Sequence, residues 1–359
     1  MRYIGNKTKL LERIYNAIEK RGISGNSFFD VFSGTASVAK FFKQKGYEVF
    51  SSDLLFMSYC LQRAYIVNNT EPKFKKLLST LDNCCPQSLL DTPMDKVLCF
   101  LNNCVPDKQG FIYKNYSVGG TQHLKQPRMY LSDENAAKID SIRQTIEQWH
   151  TKDLITEDEY YVLLACLLEN VSLFTNVAGV YAAFQKKWDP RAIKPFGIKP
   201  IELCIGKKAG KAFNANSRDL LSVIEADIFY LDPPYNERQY APNYHLLETI
   251  VKYDNPEVHG VTGMRDYSNQ KSGFCRKETA LAELEEIVKN AKCNYLLLSY
   301  NNEGIMPQED ILNIMNKYGQ TELVEFKYAR YKSNSKGNSA SKTAVKEQLY
   351  IVKLSRLCS

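Results

Sequence analysis

The sequence predicts a doubly wound α/β fold, a mostly parallel sheet with helices on both faces, and three observations carry that prediction. Apolar runs at 27–32 and 47–52 flank a helical pattern at 37–45, so strand, turn, helix and strand follow one another closely. An apolar strand pattern returns at 227–231, where it ends in an acid and two prolines. Between them, residues 54–218 carry mainly helical periodicity. The sheet is therefore expected from both ends of the chain, with the middle inserted.

Taken in order, residues 10–20 read as an amphipathic helix with Leu10, Leu11, Ile14 and Ile18 on one side. The strand at 27–32 is buried by its composition and stops at Ser33 and Gly34, after which the helix at 37–45 begins. The strand at 47–52 delivers Asp53 to its end. In the middle, 135–149 and 156–174 have helical spacing. After 227–231, strand patterns recur at 295–299, 321–328 and 348–354, and the Ser/Asn/Gly-rich stretch 333–341 reads as a loop. There is no internal repeat. Residues 1–70 and 215–359 are expected to form one domain, and 71–214 an inserted, mainly helical lobe.

Composition excludes several classes. With 359 residues, 44% of them hydrophobic, and only 18 Gly and 13 Pro, the chain is neither disordered nor collagen-like. The best apolar run, 160–168, is broken by Glu169 well short of a membrane span, and the N-terminal segment lacks the apolar core of a signal peptide. A cytoplasmic location is expected, with no membrane partner. Ten cysteines without a CxxC pair, in apolar contexts such as 98–100 and 203–205, suggest reduced thiols. Four histidines, none at ligand spacing, make no metal site. The net charge of +7 is unevenly spread: windows 107–130, 186–211 and 326–353 carry +3, +6 and +6, which leaves −8 for the rest. These windows are also rich in aromatics, among them Tyr116, Trp188 and Tyr331. Such a distribution points to a polyanion, and stacking side chains point to nucleic acid.

Two loops carry the chemistry. Between the first strand and its helix stands Asp30-Val31-Phe32-Ser33-Gly34-Thr35-Ala36-Ser37, where a glycine lets the backbone approach a nucleotide-like ligand and the helix start offers free N–H groups. Twenty-three residues after Asp30, Asp53 ends the next strand, the place from which a carboxylate accepts hydrogen bonds from ribose. The spacing lacks the third glycine of a dinucleotide fingerprint, so a single-nucleoside cofactor fits better. The second loop is Asp232-Pro233-Pro234-Tyr235-Asn236, directly after the strand at 227–231. Its prolines have no N–H to donate, so it presents a carboxylate and carbonyl acceptors beside an aromatic ring. That arrangement suits an amino group with two hydrogens to give.

These segments resemble the Dam-like (alpha-group) DNA adenine-N6 methyltransferases, including the modification enzymes of restriction systems. The likeness covers most of the chain and keeps the family's order: Arg2-Tyr3-Ile4-Gly5-Asn6-Lys7, then 30–34, a long insertion, and 232–235. One departure is Ala36, where the family often has a second glycine. The resemblance implies a class I methyltransferase sheet of the Rossmann-like kind and an inserted target-recognition lobe. It implies S-adenosylmethionine as cofactor, held by Tyr3, Asn6 and Lys7 at the methionyl group, by the 30–34 turn with Asp30, Phe32, Ser33 and Gly34, by Asp53 at the ribose and by Asp219 near the adenine. Asp232, Pro233 and Tyr235 would be catalytic, with Asp232 also facing the cofactor. Double-stranded DNA is the implied partner, a cognate restriction endonuclease an associated one, and no metal is needed. Phosphate contacts are assigned to Lys114, Tyr116, Lys125, Arg128, Arg238, Arg330 and Lys332. Tyr300 and Asn301 could border the base pocket, and His245 reads as a packing or capping residue rather than an acid–base group.

Rival readings remain open at this point. Methylation of cytosine or of a protein glutamine usually goes with Ser or Asn in place of Asp232; charge and aromatics do not separate RNA from DNA; and a catalytically inactive nucleic-acid-binding subunit could share the fold.

Overall fold

The computed structural model describes residues 3–81, 91–328 and 345–355. Its main sheet has seven strands: β1 (Ser27–Asp30), β2 (Glu48–Asp53), β3 (Lys211–Asn214), β4 (Ile228–Leu231), β7 (Tyr295–Asn301), β8 (Gly319–Tyr328) and β9 (Val345–Leu354), while β5 (Val258–His259) and β6 (Met264–Arg265) make a separate hairpin. The order across the sheet is β3-β2-β1-β4-β7-β9-β8. The first five of these run parallel; β9 is antiparallel to β7, and β8 to β9. Strand order therefore reverses between β1 and β4, which opens a crevice beyond their carboxyl ends.

Strand alternation sends consecutive side chains to opposite faces. Phe28, Ile228, Tyr230, Leu297 and Ile351 join one buried cluster; Phe29, Phe229, Leu231, Leu298 and Val352 join the other. The first cluster receives α1 (Leu11–Glu19), α2 (Ser37–Gln44) and α3 (Phe56–Gln62), the last continuing into a π-turn at Arg63–Val67. Then come α4 (Lys75–Leu78), α5 (Pro93–Asn103), α6 (Phe111–Tyr116), α7 (Val118–Thr121), α8 (Asp133–Thr151) and α9 (Glu157–Val171). After the short α10 (Ser217–Leu220), α11 (Tyr240–Lys252) returns to this face, while α12 (Lys277–Asn290) and α13 (Gln308–Asn316) cover the other.

Helices of the central segment share a buried cluster with strands of the sheet. Leu98 of α5, Ile142 of α8 and Leu164 of α9 belong to the same buried cluster as Phe28 and Ile228. The segment also supplies β3, an edge strand whose slight burial and barely alternating Lys-Ala-Phe-Asn pattern give no strand signal in the sequence.

Two helix starts in the central segment follow capping-box chemistry. Thr92 and Thr156 each form a reciprocal capping box, with Asp95 and Glu159. At α2 the residue before the helix is Ala36, held at φ 59° in the left-handed region where a methyl is costly and glycine is not. The cysteines Cys60, Cys166, Cys204, Cys275 and Cys293 are buried, as the apolar contexts suggest; Cys104 departs from the reduced-thiol reading, being disulfide-bonded. Among the described residues no helix is long and apolar enough to cross a membrane.

Candidate active site

A cavity of about 1020 Å³, counted with its open mouth, occupies the crevice at the β1–β4 reversal. The arm before α1, the β1–α2 turn, the end of β2 and the loop after β4 supply one part of its wall, and residues after β3, at the start of α11 and around 270–274 supply most of the rest. Gly34, at φ 52°, brings the turn against the arm so closely that an added Cβ would stand 2.8 Å from the Tyr3 ring. Tyr3 itself stacks on Tyr244 of α11 at 4.5 Å, and Ile4 N–H donates to the Tyr244 hydroxyl at 2.7 Å. Asn6, Phe32 and Ser33 complete this part of the wall.

Two predicted carboxylates have different duties. Asp53 lines the cavity and accepts from Gly34 N–H and Leu55 N–H, both at 2.9 Å, so it fixes the turn while facing the ligand space. Burial pushes its pKa up to about 6 despite those donors. Asp30 is not in the wall, contrary to the expectation that it touches the cofactor. It lies beneath the turn, where Oδ2 accepts from the Ser33 hydroxyl at 3.0 Å and Ala39 N–H at 3.1 Å, and Oδ1 has no partner among the described residues. Burial raises Asp30 to about 7.

The loop after β4 meets the arm at Lys7. The ammonium, 3% exposed, is 3.4 Å from Asp232 Oδ1 and 3.2 Å from Glu347 Oε2, and it donates to the Tyr235 hydroxyl. The same hydroxyl donates to Asp232 Oδ1. Thus Lys7 is engaged inside the protein and fixes the predicted catalytic acid as well as bordering the cavity. Asp232, 15% exposed, is held up near 6, first by burial, with Glu347 acting in the same direction and Lys7 and Tyr235 against it. Asp232 and Pro234 line the cavity and Pro233 is buried behind them. Tyr235 stands beside the wall, its ring 4.6 Å from the Lys7 nitrogen. Tyr300 does not border the cavity; it is buried edge-on to Tyr235 at 5.0 Å, where its hydroxyl accepts from Met306 N–H at 3.2 Å.

Gln239 belongs to the 236–240 segment that the sequence reading places over the base, whereas Ser272, Phe274 and Glu283 of the wall escape that reading. Gln239 and Ser272 line the cavity and join each other through two reciprocal bonds, 3.0 and 2.8 Å. Phe274 meets Phe32 edge-on at 5.3 Å, and Glu283 is held by Arg218, whose Nε donates at 2.7 Å. None of these sits in a motif. Glu347 did carry a signal, since it shares a strand face with the buried Leu349 and Ile351.

Among the candidates for phosphate contact, Lys114, Lys125 and Arg238 are exposed. Two others are corrected. Tyr116 is fully buried and donates to Gly263 O at 2.8 Å, so its ring is core. Arg128 is buried too, with Nε donating to Val261 O at 3.1 Å, Nη1 to Asn115 O at 3.0 Å and Nη2 to Gly260 O at 3.0 Å, so it ties the β5–β6 turn to α6. Arg330 and Lys332 lie outside the described residues. Asp219 is exposed and away from the cavity, where Ala215, Asn216 and Ser217 form the wall instead. His245 is buried in α11, with Nε2 2.9 Å from Tyr181 O, and burial lowers its pKa to about 4. Among the described residues no group of three or more His, Cys, Asp or Glu is placed to hold a metal ion.

The family model for D12 class N6 adenine-specific DNA methyltransferases matches residues 3–314. This chain belongs to that family. The D12-class chain is also 36% identical over 353 residues to the modification methylase StsI of Streptococcus sanguinis, covering 98% of this chain and 52% of that protein. To the type II methyltransferase M.FokI of Planomicrobium okeanokoites it is 36% identical over 342 residues, 94% of this chain and 50% of the relative. The type II methyltransferase M.NlaIII of Neisseria lactamica is 36% identical over 342 residues, with 94% of both chains covered. The chain thus spans about half the length of some curated relatives it matches and nearly the whole of others.

Proposed function

We propose that the chain transfers a methyl group from S-adenosylmethionine to the 6-amino group of an adenine flipped out of duplex DNA, as the modification half of a restriction-modification system. The observation that carries this reading is the Asp232 carboxylate, fixed at the mouth of the switch-point cavity by Lys7 and Tyr235. The family supports it, and so do the printed names of the relatives.

The residues present fit the cofactor. Asp53 presents a carboxylate to the cavity at the end of β2, where ribose hydroxyls donate, and Gly34 keeps clear the space a Cβ would fill. Tyr3, Asn6, Phe32 and Ser33 would hold the remainder, with Asn216 and Ser217 at the far wall. When bound, S-adenosylmethionine supplies an electrophilic methyl group on a sulfonium.

The task of the protein follows from the target. The lone pair of adenine's amino nitrogen is delocalised into the ring, so that nitrogen is a poor nucleophile. Asp232 accepts one amino hydrogen and the Pro233 carbonyl the other, which favours a nitrogen whose lone pair stands out of the ring. Orientation of this kind can supply ~7–11 kcal/mol of a barrier. Flipping costs a few kcal/mol, and stacking on an aromatic such as Tyr235 returns ~1–3 kcal/mol. The exposed Lys114, Lys125 and Arg238 serve the phosphate backbone. The intact cluster of Lys7, Asp232 and Tyr235 favours an enzyme over an inactive binding subunit.

The test is to incubate the protein with S-adenosylmethionine labelled in the methyl group and with DNA or RNA, then digest to nucleosides. Label is expected in N6-methyladenine from DNA. Label in cytosine, or from RNA alone, overturns the reading.

A further inference from the structure

Glu347 is assigned no role by the motifs, yet it places a buried carboxylate within 3.2 Å of the Lys7 ammonium. It comes from β9, where its Cα pairs with that of Asn301 on β7, so a rigid strand pair sets its position. Lys7 consequently stands between two carboxylates, at 3.2 Å from one and 3.4 Å from the other, with the Tyr235 hydroxyl as its third neighbour.

One cation shared by two carboxylates behaves differently from one paired with a single carboxylate. Alone with Asp232, the ammonium would settle on that carboxylate and hold its electron density. A second carboxylate within 3.2 Å of the same nitrogen draws the charge away and leaves Asp232 a stronger hydrogen-bond acceptor. The charged and titratable groups facing Asp232 are Lys7 from the arm, Glu347 from β9, Tyr230 from β4, Tyr235 from its loop, Asp30 from β1 and Tyr240 from α11. Of these, only Lys7 is a cation, so how far it is drawn to one side governs the acceptor strength of Asp232.

Resting on the proposed methyl transfer, we infer that Glu347 is a positioning residue that holds the Lys7 ammonium off Asp232, keeping that carboxylate free to accept the amino hydrogen of the target base. Glu347 itself is not among the residues lining the cavity.

The test has a readout independent of activity. In the protein without cofactor or DNA, the Asp232 carboxyl is titrated by carbon-13 NMR in the parent and in Glu347→Gln. Removing the second negative charge lets Lys7 settle on Asp232, so its midpoint is expected to move to lower pH; an unmoved midpoint overturns the inference. In turnover with DNA, Glu347→Gln is expected to lose about tenfold in kcat, to keep donor affinity within about twofold, and to shift the acid limb of the rate profile downward. Glu347→Asp, which restores the charge, should bring that limb back toward the parent. A loss of kcat with an unmoved limb signals a merely structural role and counts against Glu347 as positioning residue. If Glu347→Gln does not fold, the parent decides alone: two carboxyls sharing one ammonium titrate in coupled steps, whereas simple independent curves for Asp232 and Glu347 refute the sharing. A parent that binds donor but methylates nothing overturns the proposed function, and the titration still decides the placement of Glu347.

Discussion

The crevice and the basic windows handle charge in opposite ways. At the crevice, Asp53 and Asp232 stand in the cavity wall at two strand ends while Asp30 lies beneath the β1–α2 turn, and burial raises all three. In window 107–130, Lys114 and Lys125 face solvent while Arg128 is buried on three carbonyls. A charged residue at the end of a parallel strand has its place dictated by the strand. A charged residue in a loop does not, and the same composition serves a phosphate contact or an internal tie.

The largest break of this contrast is expected from Asp232→Ala. Transfer to DNA should fall by about 10²–10³ in kcat, the scale for losing a preorganised polar group. Donor binding by calorimetry should persist, and retained transfer would remove Asp232 from the mechanism. Arg128→Ala comes next. Three carbonyls lose a charged donor, each such bond being worth ~1.5–3 kcal/mol, so the denaturation midpoint should drop by an amount equivalent to about 3 kcal/mol or more. The salt dependence of DNA binding should stay unchanged, and a shallower slope would make Arg128 a phosphate contact after all.

The acids of the crevice give a pH signature. Asp30 has a folded pKa of about 7, above its ordinary value of 3.8, so the folded protein keeps a proton that the unfolded chain releases. Its support for folding is full below about 4 and is lost as pH rises through about 7; Asp53 and Asp232 act with the same sign up to about 6. Melting temperature is expected to decline between about pH 4 and 7, and Asp30→Asn should flatten that decline. An equally steep decline in the variant would show Asp30 to be unperturbed. For activity the sign is reversed, because Asp232 must be ionised to accept, so kcat/KM should fall as pH drops below about 6.

Smaller effects sharpen the other side. Lys114→Ala and Lys125→Ala should leave stability within about 0.5 kcal/mol, and each should reduce the slope of log affinity against log salt by about 1. Smallest of all is Ala36→Gly. Relief of the left-handed backbone, about 1 kcal/mol, is offset by one lost buried methyl at about 0.8 kcal/mol and by glycine's entropy, so melting should barely move.

Much of the sheet was legible, because β1, β2, β4, β7, β8 and β9 all carry apolar runs, and because Gly34, Asp53 and Asp232 stand where those runs end. β3 was not, since an exposed edge strand needs no apolar alternation. The central helices read as helices from their period, but the sequence offers no sign that their apolar faces join a buried cluster with β1 and β4. Tyr116 and Arg128 misled for a related reason: local composition is silent on whether an aromatic or a guanidinium finds its partners in water, on DNA or in carbonyls far along the chain. Asp30 shows the same limit within the motif, one residue serving the turn from below rather than the ligand.

The Lys7–Glu347 contact joins positions 340 residues apart. At synthesis rates of about 5–20 residues per second, the arm waits roughly 20–70 s before its partner strand exists. During that interval β1, β2 and β4 can pair and the cavity can form, while the ammonium has only Asp232 to answer to. Full poise of the acceptor is thus acquired last, so a nascent or shortened chain could bind donor before it could use it well.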